Sequence, residues 1–119
     1  MERISTLSYK GKSIILVDLS NLHPEETLKV IPQAKAVIAK CPPKSALILT
    51  DVTGAAYNKD VASAIKEFST HNTPYVKHSA VVGASGLSQV LLQTVIFLTR
   101  RELKAFATRD QAKDWLVAQ

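Results

Sequence analysis

Apolar and polar positions along this chain fall into a phrase that recurs three times: an apolar strand, a short polar turn, then an amphipathic helix. The predicted strands are residues 13–19, 46–50 and 75–82, and the turns that follow them are 18–24, 51–58 and 83–86. Strands alternating with helices build one sheet with helices packed on it. The polar turns then gather along the carboxyl edge of the strands, where such sheets place their working surface. Ahead of the first phrase, residues 3–9, Lys10-Gly11-Lys12 and residues 13–19 read as a β-hairpin, with Gly11 supplying a positive φ. Ile14-Ile15-Leu16-Val17 is an unbroken apolar run, the pattern of a central strand covered on both faces or of one whose other face meets a partner.

The helices are marked by their ends as well as by their stripes. His23-Pro24-Glu25-Glu26 opens the first, with proline at the first helical position and two carboxylates at the positive end of the dipole. Leu28, Ile31, Ala34, Val37 and Ile38 form its stripe; Pro32 lies inside it and predicts a kink or break near residues 28–31. The second helix, residues 59–70, carries Val61, Ala64, Ile65 and Phe68, with Asn58 as N-cap and Asn72 and Pro74 as the stop. The third, residues 85–99, has Ser85 as its N-cap and more apolar residues than one stripe needs. Either two of its sides are buried or one meets another molecule. A short strand at 103–107 leads to a last helix, where Thr108 and Gln111 have capping-box spacing and Ala112, Trp115 and Leu116 share a face. The expected fold is α/β: a single domain over residues 1–119, one mixed sheet of about five strands, and about four helices mainly on one face.

Composition narrows the function only by exclusion. The single cysteine, Cys41, forbids an intramolecular disulfide. Residues 1–7 lack the apolar core of a signal peptide, and the apolar stretch 87–98 is too short and too polar to cross a bilayer, so a cytoplasmic protein without membrane insertion is expected. The net charge of +5 invites nucleic acid, but the basic residues are dispersed. Only Arg100, Arg101 and Lys104 cluster, after the third helix, where cations suit the dipole; no nucleic-acid role is expected.

Candidate chemistry lies at the turns. Gly83-Ala84-Ser85-Gly86 resembles a nucleophile elbow, but Leu87 stands where the last glycine is needed. Asp18 and Asp51 fall near strand ends, where paired carboxylates could hold Mg²⁺ for phosphoryl transfer. The plainer reading has Asp51 accepting hydrogen bonds from Val52-Thr53-Gly54, and Asp18 from Ser20 or Asn21. His23, His71 and His78 show no metal spacing, and no metal or cofactor is expected. His78 shares strand parity with Val76 and Ala80 and is expected to be half-buried. Tyr57, in the loop after the second phrase's strand, could roof the core, cover a pocket or anchor a partner.

Tyr9-Lys10-Gly11-Lys12, Leu49-Thr50-Asp51-Val52-Thr53-Gly54, Tyr75-Val76-Lys77, Ala80-Val81-Val82-Gly83, Ser85-Gly86-Leu87 and Ala112-Lys113-Asp114-Trp115-Leu116 occur in an order similar to the SpoIIAA-like group of the STAS superfamily, small STAS/Sec14-like proteins. The resemblance implies a non-enzymatic domain that binds a partner protein or a small ligand. In classical members a serine near the start of the second helix is phosphorylated; here that stretch reads Ala56-Tyr57-Asn58-Lys59-Asp60-Val61, without the Asp-Ser-Ser-Gly sequence. The candidate contact surface is therefore the loop-and-helix-start edge: Asp51, Thr53, Gly54, Tyr57, Asn58, Gly83, Ser85 and Gly86. The first expectation is partner-protein docking there without a phosphoserine switch, with a homodimer through helix 85–99. The alternatives are a Sec14-like binder of a small ligand or lipid, and a Mg-dependent enzyme using Asp18 and Asp51.

Overall fold

A computed structural model describes residues 3–100 and 103–119. Met1 and Arg101, which entered the readings of the chain's start and of the basic cluster, lie outside these residues, as does the Leu87 side chain. The elements run β1 (Ile4–Tyr9), β2 (Lys12–Asp18), α1 (Pro24–Ile38), β3 (Ala46–Asp51), α2 (Lys59–Asn72), β4 (Val76–Val82), α3 (Leu87–Thr99), β5 (Leu103–Phe106) and α4 (Arg109–Ala118). They form one five-stranded mixed sheet in the order β1-β2-β3-β4-β5, antiparallel only between β1 and β2. Tyr9 pairs with Lys12 across a two-residue turn in which Lys10 and Gly11 both have positive φ, 50° and 81°. A type I′ hairpin turn requires that combination.

Each crossover from β2 onward steps to the next strand in the same direction. Right-handed connections therefore put successive helices on the same face. Ile15, Val17 and Ile48 join the core under α1 and α2, and Leu91, Leu92 and Val95 of α3 border the same face. The alternate residues Ile14, Leu16, Leu47 and Leu49 point to the other face, where Ala112 and Leu116 of α4 cover them. All four residues of the Ile14–Val17 run are buried, two on each side, as a doubly covered strand requires.

Two expectations change. Pro32 does not break α1: the helix spans Pro24–Ile38 with Pro32 on its exposed side, where the carbonyl that loses its donor to the ring is open to water. His78 does not share a face with Val76. The β3–β4 register shifts between Ala46 and Leu47, whose partners are Val76 and His78, so Lys77 is an extra residue. Such a bulge reverses parity. Val76 joins the α1–α2 core, while half-buried His78 packs edge-on against Trp115, ring centroids 5.7 Å apart.

Helix α4 is pinned at its far end by the hairpin: Tyr9 donates to Asp114 (2.6 Å), and Lys12 donates to the Val117 carbonyl (2.9 Å) at the helix's negative end. Its apolar anchor is Leu116, with no exposed surface. Leu116→Ala should cost about 2–5 kcal/mol in urea unfolding, while Leu98→Ala on the exposed side of α3 should change stability by no more than about 0.5 kcal/mol. Equal effects would contradict this assignment of core and surface.

Candidate functional site

The carboxyl edge carries two turns of matching construction. Asp18-Leu19-Ser20-Asn21 follows β2 and Asp51-Val52-Thr53-Gly54 follows β3, and Asp18 and Asp51 are register partners. In the first turn the Ser20 amide and hydroxyl both donate to Asp18 Oδ1, at 3.0 and 2.6 Å. In the second the Thr53 amide and hydroxyl both donate to Asp51 Oδ1, at 2.9 and 2.7 Å. The fourth residue of each is left-handed, Asn21 at φ 59° and Gly54 at φ 68°. Short polar side chains that bond their own backbone two residues on favour this turn.

The turns lock edge to edge. The Leu19 amide donates to the Asp51 carbonyl, Asn21 to Thr53, Val52 to Val82, and Gly83 to Phe106, at 2.9–3.1 Å. Gly83, at φ 80°, lies so close to Thr53 that a Cβ would sit 2.8 Å from the Thr53 Cα. A side chain there has neither a relaxed backbone nor room.

Arg109, at the start of α4, reaches under this edge from the other side of the sheet. Its Nε donates to Asp51 Oδ2 at 2.7 Å, and a terminal nitrogen lies 3.3 Å from Asp18 Oδ1. Arg3 lies 3.5 Å from the same Asp18 oxygen and donates to the Ser20 carbonyl at 3.0 Å. Burial works to raise the Asp18 and Asp51 carboxyls, but the Ser20 and Thr53 bonds together with Arg109 outweigh it and hold both below the ordinary carboxylate range. The bond to Asp51 in turn raises Arg109. A guanidinium therefore stands between the two carboxylates, in the place a shared cation would take. Among the described residues no group of three or more His, Cys, Asp or Glu side chains is placed to hold a metal ion.

Next to this edge, between α2, α3 and the sheet, lies a half-enclosed apolar cavity of about 70 Å³. Ile48 and Val81 form its floor, Phe68 and Ile65 one wall, and Leu92 and Val95 the other. Tyr57 borders it, as does Asn72, the last residue of α2. Asn72 is 3% exposed, and its Oδ1 has no hydrogen-bond partner within the described residues.

The predicted site residues thus divide into three groups. Asp51, Thr53, Gly54 and Gly83 meet in the interlocked turns. Tyr57 belongs to the cavity, and Asn58 caps α2 by accepting from the Val61 amide at 2.9 Å. Ser85 and Gly86 lie at the start of α3, but the N-cap is Gly86, at φ 54° with no side-chain bond, and not Ser85. That helix begins one residue later than the serine reading requires, because a left-handed residue cannot continue a helix.

These features can be set beside known proteins. The sequence model of the SpoIIAA-like family matches residues 14–117, nearly the whole chain. The chain belongs to the SpoIIAA-like family. A crystal structure of an uncharacterized protein of the DUF3478 family with a SpoIIAA-like fold, from Shewanella loihica PV-4, superposes with a TM-score of 0.74 at 18% identity, covering 95% of this chain and 91% of that one. This likeness concerns the SpoIIAA-like fold alone. No curated protein matches the chain.

Three residues of these arrangements are not among the predicted site residues: Arg109, Arg3 and Asn72. Arg109 is 58 positions from Asp51, and Arg3 is 17 from the Ser20 carbonyl it meets, so no local pattern joins them. Asn72 did leave a signal. It lies four positions after Phe68 and continues the Val61–Ile65–Phe68 stripe with a polar residue, which puts a polar group on a buried face.

The arginine clamp has a pH signature. A lowered native pKa stabilises fully above the unfolded value of about 3.9, and that stability is lost as pH falls through the lower native value. Arg109→Gln should therefore destabilise the fold at pH 7 by about 1–3 kcal/mol, nearer the low end because the guanidinium is partly exposed. Its deficit against the parent should shrink as pH falls below about 4, when the carboxylates protonate. Urea unfolding of both proteins across pH 2–7 measures this; a deficit constant over that range would show that Arg109 does not act through the two aspartates.

Proposed function

We propose that this SpoIIAA-like chain is a binding module, not a bond-breaking enzyme, and that it takes up a small, mainly apolar molecule in the cavity between α2, α3 and the sheet. The observation that carries this reading is the cavity itself: apolar side chains from three elements left apart where close packing is the rule. Pockets that bind small molecules are concave and apolar with a few placed polar groups, as this one is with Tyr57, Ser79 and Asn72 at its border. The rim's acidic pair, already neutralised by Arg109 and Arg3, acts in this reading as scaffold for the walls. Methyl-detected NMR titration with toluene should give saturable shifts confined to cavity residues such as Ile48, Leu92 and Val95. Val81→Phe, which fills the floor, should abolish them while the protein stays folded. Toluene causing no saturable shift in the parent, or shifts that persist unchanged in the filled variant, would rule the reading out.

A second reading, protein docking, is supported by the outer side of α3. Val90, Phe97 and Leu98 are 63%, 82% and 56% exposed and share one helical face. A second copy of the chain covering that face would give a homodimer that leaves the cavity on the other side of the helix intact. Light scattering should then show association rising with concentration, lost in Phe97→Glu. A parent that stays monomeric at high micromolar concentration removes the homodimer.

A further inference from the structure

We infer that the cavity selects a neutral, largely apolar molecule bearing one hydrogen-bond donor, a hydroxyl by class, which bonds to Asn72; this rests on the cavity being a ligand site. Among the described residues, two buried side-chain polar atoms have no hydrogen-bond partner from the protein itself: Thr27 Oγ1 and Asn72 Oδ1. Asn72 is the one of these two residues that borders the cavity. Buried acceptors are nearly always paired, because leaving one bare forfeits its bonds to water with nothing in return. A leucine of similar shape would continue the Val61–Ile65–Phe68 stripe without that penalty. The position is also held in place: the Asn72 carbonyl accepts from the Tyr75 amide at 2.9 Å, which fixes the turn into β4 beneath the side chain.

Charge and size narrow the class further. None of the described residues lining the cavity is charged. An ionised carboxylate entering it would lose its hydration and meet no cation, whereas a hydroxyl would lose far less and recover it from Asn72. A cavity of about 70 Å³ has room for the equivalent of about five waters, the scale of one aromatic ring or a short aliphatic chain. The chemistry that fits is thus a small alcohol or phenol, not a fatty-acid anion.

Phenol, toluene and benzoate separate these possibilities, since the first two share a shape and differ by a donor. Each is titrated by methyl NMR into the parent and into Asn72→Leu. In the parent, phenol should bind at least as tightly as toluene, despite the hydration its hydroxyl gives up, and benzoate should not saturate. In Asn72→Leu the phenol-to-toluene affinity ratio should fall about five- to tenfold, the worth of one buried hydrogen bond. The variant should also melt at a higher temperature than the parent, since a bare acceptor has been replaced by an apolar group. The parent alone keeps the test decisive should the variant not fold: toluene binding more tightly than phenol overturns the inference. A ratio unchanged by the substitution, or benzoate binding more tightly than phenol, overturns it as well. In each of those cases saturable toluene binding leaves the cavity reading standing, while failure of all three probes to saturate ends both.

Discussion

A right-handed crossover between neighbouring parallel strands leaves the chain no choice of face. From β2 to β5 this protein always steps the same way across its sheet, so α1, α2 and α3 are all delivered to one side. Two consequences follow. The carboxyl ends of β2, β3 and β4 line up along one edge, which lets the turn after each strand bond to its neighbour. The opposite face is left bare until the chain has finished its last strand, and α4 must close it alone. That is why the N-terminus of α4 lies where Arg109 can reach two aspartates carried by β2 and β3, elements made far earlier in the sequence.

The same winding gives no reversal of strand order among the parallel strands, and so no crevice at a topological switch point, where open α/β sheets usually hold their ligands. The polar rim is accordingly closed upon itself. Its carboxylates are bonded to their own turns and to arginine, and its glycines are required for the close stacking of one turn on the next. Open space falls instead beside the rim, under α3. That helix covers the side of the sheet that ends in β5, a strand of only four residues. Its inner side, with Leu91, Leu92 and Val95, is buried, yet apolar side chains remain on its outer side and a gap remains beneath it.

What could be read in the sequence was whatever depends on neighbours in the chain. The strands and helices announced themselves through periodicity. Asn58 and Thr108 are caps because each accepts from the amide three residues on, a bond that spacing alone predicts. The Asp18 and Asp51 turns were legible for the same reason, as partners two residues apart. The SpoIIAA-like resemblance rested on such local phrases, and the fold followed from their order. The bulge at Lys77 was not legible, because it is a property of β3 and β4 together and not of either strand. Nor was the arginine clamp, whose members come from opposite ends of the chain and different faces of the sheet. The cavity is a shortfall of packing among three elements, and a shortfall has no residue of its own to mark it.

Three features of this fold run against the usual rules of packing: an apolar helix with large side chains in water, and two buried polar atoms, Thr27 Oγ1 and Asn72 Oδ1, with no partner within the described residues. Scattered over the molecule, each would be an isolated imperfection of modest cost. Thr27 stands on α1, apart from the cavity, but the other two flank the same gap, since α3 forms one wall and the end of α2 carries Asn72 to its border. A sequence that is otherwise consistent from caps to core tends to break its own rules where something other than stability is being served. The rim and the α4 face show that consistency: their carboxylates are paired, their turns are bonded, and Leu116 and Ala112 are fully buried. In the reading proposed above, the exceptions at this gap, and not the polar edge, mark the binding site, between α2 and α3.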